Sequence, residues 1–319
     1  MTDDNQLFQR NPGNPILTAA QWPHTVNAVF NPGATRLPDG STVLLCRVED
    51  RRGISCLWAA RSEDGVSGWR VDPGPVLFPD PQNHPEETWG VEDPRIVWLE
   101  ELGRYAVTYT AYSETGPAVS LALTTDFREF ERVGVVMPPE DKDAALLPRR
   151  SGGRWQMLHR PHTGLGAAIW ISESPDLVHW GRHRLLLPPR RGAWWDANKI
   201  GLSTPLIETD RGWLMLYHGV RMTAAGCLYR VGLALLDSAD PDRVLRRGDE
   251  WVFGPRENYE RQGDVSDVVF PCGYTRGPEP DLLRVYYGAA DTSIGFASAR
   301  VSELLDWLES HSSADSVPC

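Results

Sequence analysis

The sequence repeats one pattern four times: ARSEDGVSGW at 60–69, LTTDFREF at 123–130, ISESPDLVHW at 171–180 and ALLDSADPDRVL at 234–245. In each stretch Ser or Thr, together with Asp, precedes an aromatic or aliphatic residue, and a pair of short apolar runs typical of β-strands comes before it. An interval of roughly 50–60 residues suits a four-stranded propeller blade. The repeat therefore predicts an all-β, five-bladed β-propeller with units at 25–75, 88–135, 140–190, 197–250 and 262–300. The alternative is a sandwich of ordinary strand–turn–strand units.

Helical periodicity is confined to Val301–Ser310 (VSELLDWLES), for which Ser302 is the expected N-cap. Elsewhere short β-branched, aromatic and aliphatic runs alternate with turn residues, and the chain contains 29 Gly and 26 Pro. We therefore expect a single catalytic domain over residues 1–319, with a short C-terminal helix at about 301–310.

The composition argues against several classes of protein. A net charge of −11 without a basic stretch disfavours nucleic acid and anionic membranes as partners. The five cysteines form no CxxC pair and no cluster has zinc or calcium spacing, so we expect neither a disulfide framework nor a metal. No apolar run reaches the ~18 residues of a membrane span. Met1–Arg10 lacks an apolar signal segment, which favours the cytoplasm.

Lysine is rare in this chain. Of the 32 basic residues, only Lys142 and Lys199 are lysines. A solvated surface position accepts arginine as readily as lysine, so the two lysines are expected where a compact ammonium is needed and a planar guanidinium does not fit. Chance survival is the alternative.

Five groups of polar residues, one for each predicted unit, lie next to Gly or Pro. Because the innermost strands of a propeller run toward one axis, residues far apart in sequence are expected to meet there. Carboxylates, basic groups and amides in one place are typical of a sugar site. The groups are Asn31–Ala34 with Cys46–Asp50, Trp89–Arg95, Asp141–Asp143 with Met157–Pro161, Asn198–Gly201 with Leu216–Gly219, and Asp267–Pro271 with Tyr286–Asp291.

Four motifs in these groups resemble glycoside hydrolase family 130, in the family's order and approximate spacing. They are GVEDPR at 90–95, LHRP at 158–161, YHG at 217–219 and AAD at 289–291, and the similarity extends from about Asn14 to Ala297. The resemblance implies a five-bladed propeller and an inverting β-mannoside phosphorylase. Such an enzyme takes inorganic phosphate as co-substrate, needs no other cofactor and releases α-mannose 1-phosphate.

The resemblance also implies roles for single residues. Asp93 corresponds to the catalytic carboxylate, which passes its proton to the glycosidic oxygen through the 3-hydroxyl of the mannosyl unit. The residues that match mannose contacts are Asn31, Arg47, Lys199 and Asp291, with Phe270 as an apolar platform. The residues that match phosphate contacts are Lys142, Arg160, His218 and Tyr229.

Each assignment has a structural alternative. Asp93 precedes Pro94 and is also explained as a turn residue. Arg160 is equally a candidate for a salt bridge, and His218 for a buried core histidine. If the alignment with the family is shifted at this point, Arg149 or Arg150 supplies the basic phosphate contact in place of Lys142. Asp50 and Glu92 are candidates either for the site or for a structural role as hydrogen-bond acceptors.

Two other functions are compatible with the sequence. One is an inverting hydrolase, in which Asp50, Asp267 or Asp291 joins Asp93, or in which Asp141 or Asp143 activates water. The other is a non-catalytic glycan-binding propeller that uses some of the 13 tryptophans. A homo-oligomer is compatible with either. The linkage and the leaving sugar stay open, and the candidate rim segments are His84–Trp89, Arg182–Trp195 and Tyr259–Asp264.

Overall fold

The computed structural model describes residues 7–163, 166–224 and 226–312. In these ranges the chain is nearly all β, as predicted, and its strands follow one another in antiparallel runs. The first run contains β3 (Ala28–Arg36), β4 (Thr42–Glu49), β5 (Ser55–Ser62) and β6 (Arg70–Val71). The second contains β7 (Gly90–Leu99), β8 (Arg104–Ser113), β9 (Gly116–Thr124) and β10 (Glu131–Met137).

The later runs follow the same order. The third contains β11 (Asp141–Leu146), β12 (Trp155–Thr163), β13 (Gly166–Ala167), β14 (Ile169–Ser174) and β15 (Gly181–Leu187). The fourth contains β16 (Lys199–Leu202), β17 (Ile207–Thr209), β18 (Gly212–Thr223), β19 (Gly226–Leu236) and β20 (Val244–Arg247). The fifth contains β21 (Val269–Arg276), β22 (Leu282–Ala289) and β23 (Ser293–Arg300).

The N-terminal strands β1 (Gln9–Arg10) and β2 (Leu17–Thr18) pair with β23, so the start of the chain extends the fifth run. Parallel bridges join the first run to the second at Ser55 and Gly90, and the third to the fourth at Ala167 and Lys199. Hydrogen bonding therefore merges the runs into three sheets. Short 3₁₀ turns lie at Ala19–Gln21 and Pro85–Glu87.

The repeated sequence pattern forms the turn between the last two strands of a run. In the second run, Thr124 Oγ1 and Asp126 Oδ1 accept hydrogen bonds from the backbone N–H groups of residues 126–129. Ser174 and Asp176 do the same in the third run. The apolar residues that follow, Phe127 and Leu177, are buried. The pattern thus combines a side-chain-stabilised turn with an apolar anchor.

Apolar clusters fill the space between successive runs. Leu45 and Leu57 of the first run pack with Val107 of the second. The same holds between the second and third runs, the third and fourth, and the fourth and fifth. A further cluster joins Tyr286 of the fifth run to Leu44 of the first. Each run therefore has a neighbour on both sides.

The helices are short. Helix α1 spans Asn258–Arg261, and α2 spans Val301–Ser310, which confirms the predicted C-terminal helix. Ser302 is not its N-cap, because the helix begins one residue earlier and its first N–H groups are satisfied from outside: Asp281 accepts hydrogen bonds from Val301 N and Ser302 N. Leu304, Leu305 and Leu308 face the core.

The four cysteines in the described ranges, Cys46, Cys56, Cys227 and Cys272, are free thiols, and Cys319 lies outside those ranges. No helix among the described residues is both long and apolar enough to cross a membrane. Across 7–163, 166–224 and 226–312, no group of His, Cys, Asp and Glu has the arrangement of a metal site.

A buried ion pair ties β1 to helix α1, which Tyr287 links to the fifth run, and we expect it to matter for stability. Glu260 is fully buried and accepts hydrogen bonds from Arg10 Nε at 2.7 Å and from Tyr287 Oη at 2.8 Å. Glu260→Gln leaves the Arg10 guanidinium without its charge partner, so the free energy of unfolding should fall by about 3 kcal/mol in urea titrations. The matched control is Glu279→Gln at an exposed pair with Arg300, where a change below about 1 kcal/mol is expected. Equal losses in both variants would contradict this role.

Candidate active site

Three of the polar residues at the centre of the site sit at β-bulges in the first strand of a run. The strand register shifts where Asn31, Asp93 and Asp143 occur, in β3, β7 and β11. Their φ angles are 44°, 50° and 53°, in the left-handed region that residues with side chains rarely adopt. A bulge redirects a side chain out of the regular alternation. The same local device therefore aims a polar group inward from three separate runs. Asp93 lies inside a strand and is not a turn residue.

Asp93 is buried and held by two donors. Asn31 Nδ2 donates to Oδ1 at 2.9 Å, and Arg47 Nη1 donates to the same oxygen at 3.1 Å. Within the described residues, the side-chain hydrogen bonds that Asp93 accepts all end on Oδ1. The Oδ2 atom is therefore the oxygen of this carboxylate that is suited to carry a proton.

Arg47 is fixed from several sides. Its Nη2 lies 3.0 Å from Glu92 Oε1, its Nε donates to Ser55 Oγ at 2.9 Å, and the guanidinium stacks over the ring of Phe30. Glu92 thus has a structural partner in Arg47. A guanidinium held in this way presents its remaining donors in a fixed orientation.

The carboxylates around Arg47 have different pKa values. Burial opposes ionisation of Asp93, but the positive charges of Arg47 and Lys142 outweigh burial and place its pKa below the ordinary value. Burial raises the pKa of Glu92. Burial also raises the pKa of Asp291 to about 6, against the attraction of Arg47. Asp93 is therefore ionised near neutral pH, whereas Asp291 is close to its titration point.

Asp143 organises the second half of the site. Its side chain is buried and accepts from Arg160 Nε at 2.6 Å and from Arg95 Nη2 at 3.3 Å, while His218 Nε2 lies 3.5 Å away. Burial would raise the pKa of Asp143, but the positive charges of Arg160 and Arg95, together with the nearby His218 ring, hold it well below its ordinary range. A carboxylate with this many cationic partners is a poor base, so Asp143 does not fit the water-activating role considered for it.

His218 packs against the aromatic residues of the site. Its ring centroid lies 4.7 Å from that of Phe270 and 6.1 Å from that of Tyr229. The Nζ of Lys199 lies 5.4 Å from the Tyr229 ring centroid. Burial lowers the pKa of His218 to about 3, although Asp143 acts in the opposite direction. Its Nδ1 is buried and has no hydrogen-bond partner in the described structure. His218 is therefore a neutral imidazole.

A cavity of about 290 Å³ opens beside this cluster. Lys142, Arg160 and Lys199 line it, together with Pro117, Glu140, Asp141, His162, Gly166, Ala167, Asn198 and Met222. Within the described residues neither lysine ammonium forms an ion pair, so both charges remain available to a ligand. Three cationic side chains around one cavity favour an anion.

The predicted residues fall into two adjoining groups. Asn31, Arg47 and Asp93 are in contact, and Asp291 is coupled to them electrostatically. Arg160 and His218 meet at Asp143. Phe270 and Tyr229 pack against the His218 ring, and Lys199 lies over the Tyr229 ring. Lys142 acts on the charges of both Asp93 and Asp143.

Several candidates lie elsewhere. Asp50 accepts hydrogen bonds within its own turn, from the N–H groups of Arg52 and Ile54. Asp267 pairs with the exposed Arg261. Arg149 pairs with Glu208 and Arg150 with Glu101. Their charges are therefore engaged away from the cluster, and neither arginine takes the place of Lys142.

The sequence did not single out Arg95, although it is part of the GVEDPR motif. Arg95 is buried and donates to the Asp93 carbonyl, to the Leu202 and Ser203 carbonyls and to Asp143. It thereby links the two groups of the site. Its position two residues after Asp93 was the available signal, but a link between distant strands is not readable from one motif.

The chain is similar to one protein family and to several known proteins over most of its length. The model of a glycoside hydrolase family 130 described as β-1,4-mannooligosaccharide phosphorylase matches residues 8–310. The β-1,4-mannooligosaccharide phosphorylase of Ruminococcus albus is 33% identical over 98% of this chain and 93% of that protein. The β-1,2-mannobiose phosphorylase of Listeria innocua is 39% identical over 80% of this chain and 69% of that protein.

Solved structures agree with these relatives. The complex of the Listeria innocua β-1,2-mannobiose phosphorylase with β-1,2-mannobiose superposes with a TM-score of 0.85 at 32% identity, covering 95% of this chain and 99% of that chain. A structure of a GH130 protein, from work on glycoside hydrolases that target β-1,2 mannosidic linkages in Candida mannan, gives a TM-score of 0.81 at 28% identity over 95% of this chain and 96% of that chain.

The low pKa of His218 predicts acid sensitivity. Between about pH 6.5 and 3 the unfolded chain binds a proton at this histidine and the folded chain does not, so the free energy of unfolding should fall as the pH is lowered. From pH 7.0 to 5.5 this contribution is about 1 kcal/mol. Urea titrations at both pH values should show it in the wild type and in the exposed-histidine control His179→Gln, but not in His218→Gln. The same pH dependence in all three proteins would show that His218 does not cause it.

Proposed function

Because this chain belongs to glycoside hydrolase family 130, we propose that it is an inverting phosphorylase that cleaves a β-mannoside with inorganic phosphate and releases α-mannose 1-phosphate. The observation that carries the proposal is the cavity lined by Lys142, Lys199 and Arg160, whose lysine charges have no ion-pair partner among the described residues. A mannoside is neutral and does not need three cations, whereas phosphate does. The Ruminococcus and Listeria relatives, both named as mannoside phosphorylases, support the same reaction.

We assign the mannosyl unit to the group around Asp93. Asn31 and Arg47 offer donors to sugar hydroxyls, and Asp291 offers an acceptor. In this proposal Lys199, which lines the cavity from β16, contacts the mannosyl unit where it borders the phosphate. Phe270 presents an apolar ring against a sugar face, as aromatic residues commonly do. The bulge at Asn31 and the Asp93–Arg47 contact hold these groups in place before substrate arrives.

In this proposal Asp93 is the proton donor. The bond between the anomeric carbon and the leaving oxygen breaks, the leaving oxygen receives the Asp93 proton through the 3-hydroxyl, and a phosphate oxygen bonds to the anomeric carbon. The hydrogen of HPO₄²⁻ replaces the lost proton, so none is consumed overall. In the ligand-free site the positive charges of Arg47 and Lys142 keep Asp93 ionised. A phosphate anion beside Lys142 offsets part of that field and thereby favours the protonated form.

The phosphate contacts in this proposal are Lys142, Arg160, His218 and Tyr229. Arg160 is aimed by its 2.6 Å contact with Asp143, and Lys142 follows Asp141 at the edge of the cavity. His218 is neutral, so it contributes a hydrogen bond rather than a charge. Phosphate is itself the nucleophile, so no second carboxylate is required as a base.

Hydrolysis is the competing reaction, since the GH130 family contains glycoside hydrolases that target β-1,2 mannosidic linkages. Asp143 is saturated by cations, and Asp141 is engaged by His159 and the Arg160 backbone, so neither is available to activate water. Asp291, with a pKa of about 6, is the carboxylate that a hydrolase would use here. The experiment below distinguishes the two reactions.

We further propose that the antiparallel runs are the blades of a single five-bladed propeller over residues 1–319. Apolar clusters connect each run to the next and the fifth to the first. The first strands of the runs contribute Asn31, Asp93, Asp143 and Lys199, as expected of strands around one axis. The substrate partners of this domain are then a small carbohydrate and phosphate.

The reaction predicts a strict requirement for phosphate. Incubation of β-1,2- or β-1,4-mannobiose with the protein should give α-mannose 1-phosphate only when phosphate is present, and α-mannose 1-phosphate with a panel of acceptor sugars should give a disaccharide. Asp93→Asn should lower kcat by about 10³, with Asp50→Asn as the control that retains activity. Free mannose formed without phosphate would indicate a hydrolase, and sugar binding without turnover would indicate a binding protein.

The two lysines should not tolerate arginine. A planar guanidinium replaces a compact ammonium at the cavity, so Lys142→Arg should raise the KM for phosphate and Lys199→Arg should lower kcat/KM for the mannoside, each by about tenfold. Arg104→Lys, at an exposed pair with Glu131, is the matched control without effect. Full activity in both lysine variants would mean that their survival in an arginine-rich chain is coincidental.

A further inference from the structure

A chain of hydrogen bonds crosses four neighbouring strands behind the cavity. Asp141 Oδ2 lies 2.5 Å from His159 Nδ1, His159 Nε2 lies 2.7 Å from Ser172 Oγ, and Ser172 Oγ lies 2.6 Å from His183 Nδ1. The four residues belong to β11, β12, β14 and β15, in the order in which these strands pair. Side chains at diagonal positions on one face of a sheet are within reach of each other, which explains how the chain spans it.

Three members of this chain are buried. Asp141, His159 and Ser172 are at most 4% exposed, whereas His183 reaches the surface. Ser172 has one hydroxyl hydrogen, so it donates to one histidine and accepts from the other. With His159 Nδ1–H donating to Asp141, the serine donates to His159 Nε2 and accepts from His183 Nδ1–H. All four groups are then satisfied in one arrangement.

Asp141, at one end of this hydrogen-bond chain, contacts the proposed phosphate site. Asp141 Oδ1 accepts a hydrogen bond from the backbone N–H of Arg160 at 3.0 Å, at a place where the register between β11 and β12 shifts. A side-chain oxygen thus satisfies this N–H group next to the bulge. The charged or titratable groups around Asp141 are Arg160 and His159 from β12, with His183 beyond Ser172. Asp141 and its neighbour Lys142 both line the cavity.

We infer that Asp141, His159, Ser172 and His183 form a positioning chain for phosphate binding. His159 orients the Asp141 carboxylate, the carboxylate fixes the backbone at Arg160, and the Arg160 and Lys142 side chains are thereby held at the cavity. Ser172 and His183 fix the tilt of the His159 ring. None of the four residues is assigned to the reacting atoms. The inference rests on the proposed function, because the ligand that is positioned is phosphate.

The test uses the full chain and inorganic phosphate. His159→Phe keeps a ring but loses both hydrogen bonds. It should weaken phosphate binding in calorimetry and raise the KM for phosphate, each by about tenfold. The kcat at saturating phosphate and the KM for the mannoside should stay within about twofold of wild type. His159→Asn places an amide N–H near the Nδ1 position and should restore most of the affinity. His179→Ala, an exposed histidine of the same run paired with Asp176, is the control without effect.

Ser172→Ala tests the same inference if His159→Phe does not fold. It leaves the Asp141–His159 contact in place and removes only the hydrogen bond from Ser172 to His159. It should weaken phosphate binding by about threefold. Unchanged phosphate affinity in the folded variants, or an equal loss for phosphate and mannoside, would overturn the inference. A wild-type protein that neither binds phosphate nor needs it would instead refute the proposed function, so the two failures are distinguishable.

Discussion

The buried contact between Arg95 and Asp143 is the interaction on which the site depends. Arg95 comes from the second run, Asp143 from the third, and the carbonyls of Leu202 and Ser203, which Arg95 also engages, from the fourth. Both side chains are almost fully buried, so each loses its hydration. Such a pair is tolerated only when the remaining donors and acceptors are satisfied, as they are here by backbone carbonyls, Arg160 and His218. Three separate runs are thereby held in one relative position at the place where their polar side chains meet.

The neighbouring glycines follow from the same contact. A Cβ at Gly201 would lie 2.5 Å from Asp143 Oδ2 and 2.6 Å from His218 Cε1, so only glycine allows β16 to pass this close. At Gly288 a Cβ would collide with the side chain of Asn31. Asn31, Asp93 and Asp143 have strained, left-handed backbone conformations at the same crowded centre. Residues with side chains keep such conformations only when their surroundings hold them in place. Here those surroundings are the Asn31–Asp93 hydrogen bond and the guanidinium groups of Arg47, Arg95 and Arg160.

The centre of the site is rich in positive charge, although the chain as a whole is negatively charged. The protein has a net charge of −11, yet the centre of the site combines Arg47, Arg95, Arg160, Lys142 and Lys199 with carboxylates that are mostly paired. An anion entering the cavity meets the two lysines and Arg160, which is held through its Nε by Asp143. Arg47 and Arg95 are already engaged by Glu92, Asp93 and Asp143. In the proposed reaction Arg47 and Arg95 preorganise the site, and Arg160 and the two lysines receive the ligand. The compact ammonium differs in geometry from a guanidinium, so this proposal gives the scarcity of lysine elsewhere in the chain a physical interpretation.

The sequence by itself determined the local features. Ser, Thr and Asp side chains stabilise turns within a few residues, so the repeated pattern located the turns between strands, and apolar periodicity located the helix at Val301–Ser310. Family motifs identified most residues that the structure brings together. Only the tertiary structure decided which charges are engaged elsewhere: Asp50 and Asp267 belong to local or exposed pairs, Arg149 and Arg150 bind distant glutamates, and Asp281 rather than Ser302 caps the last helix. The physical reason is separation along the chain. Arg95 lies 48 residues from Asp143 and 108 from Ser203, and no local pattern records a partner at such a distance.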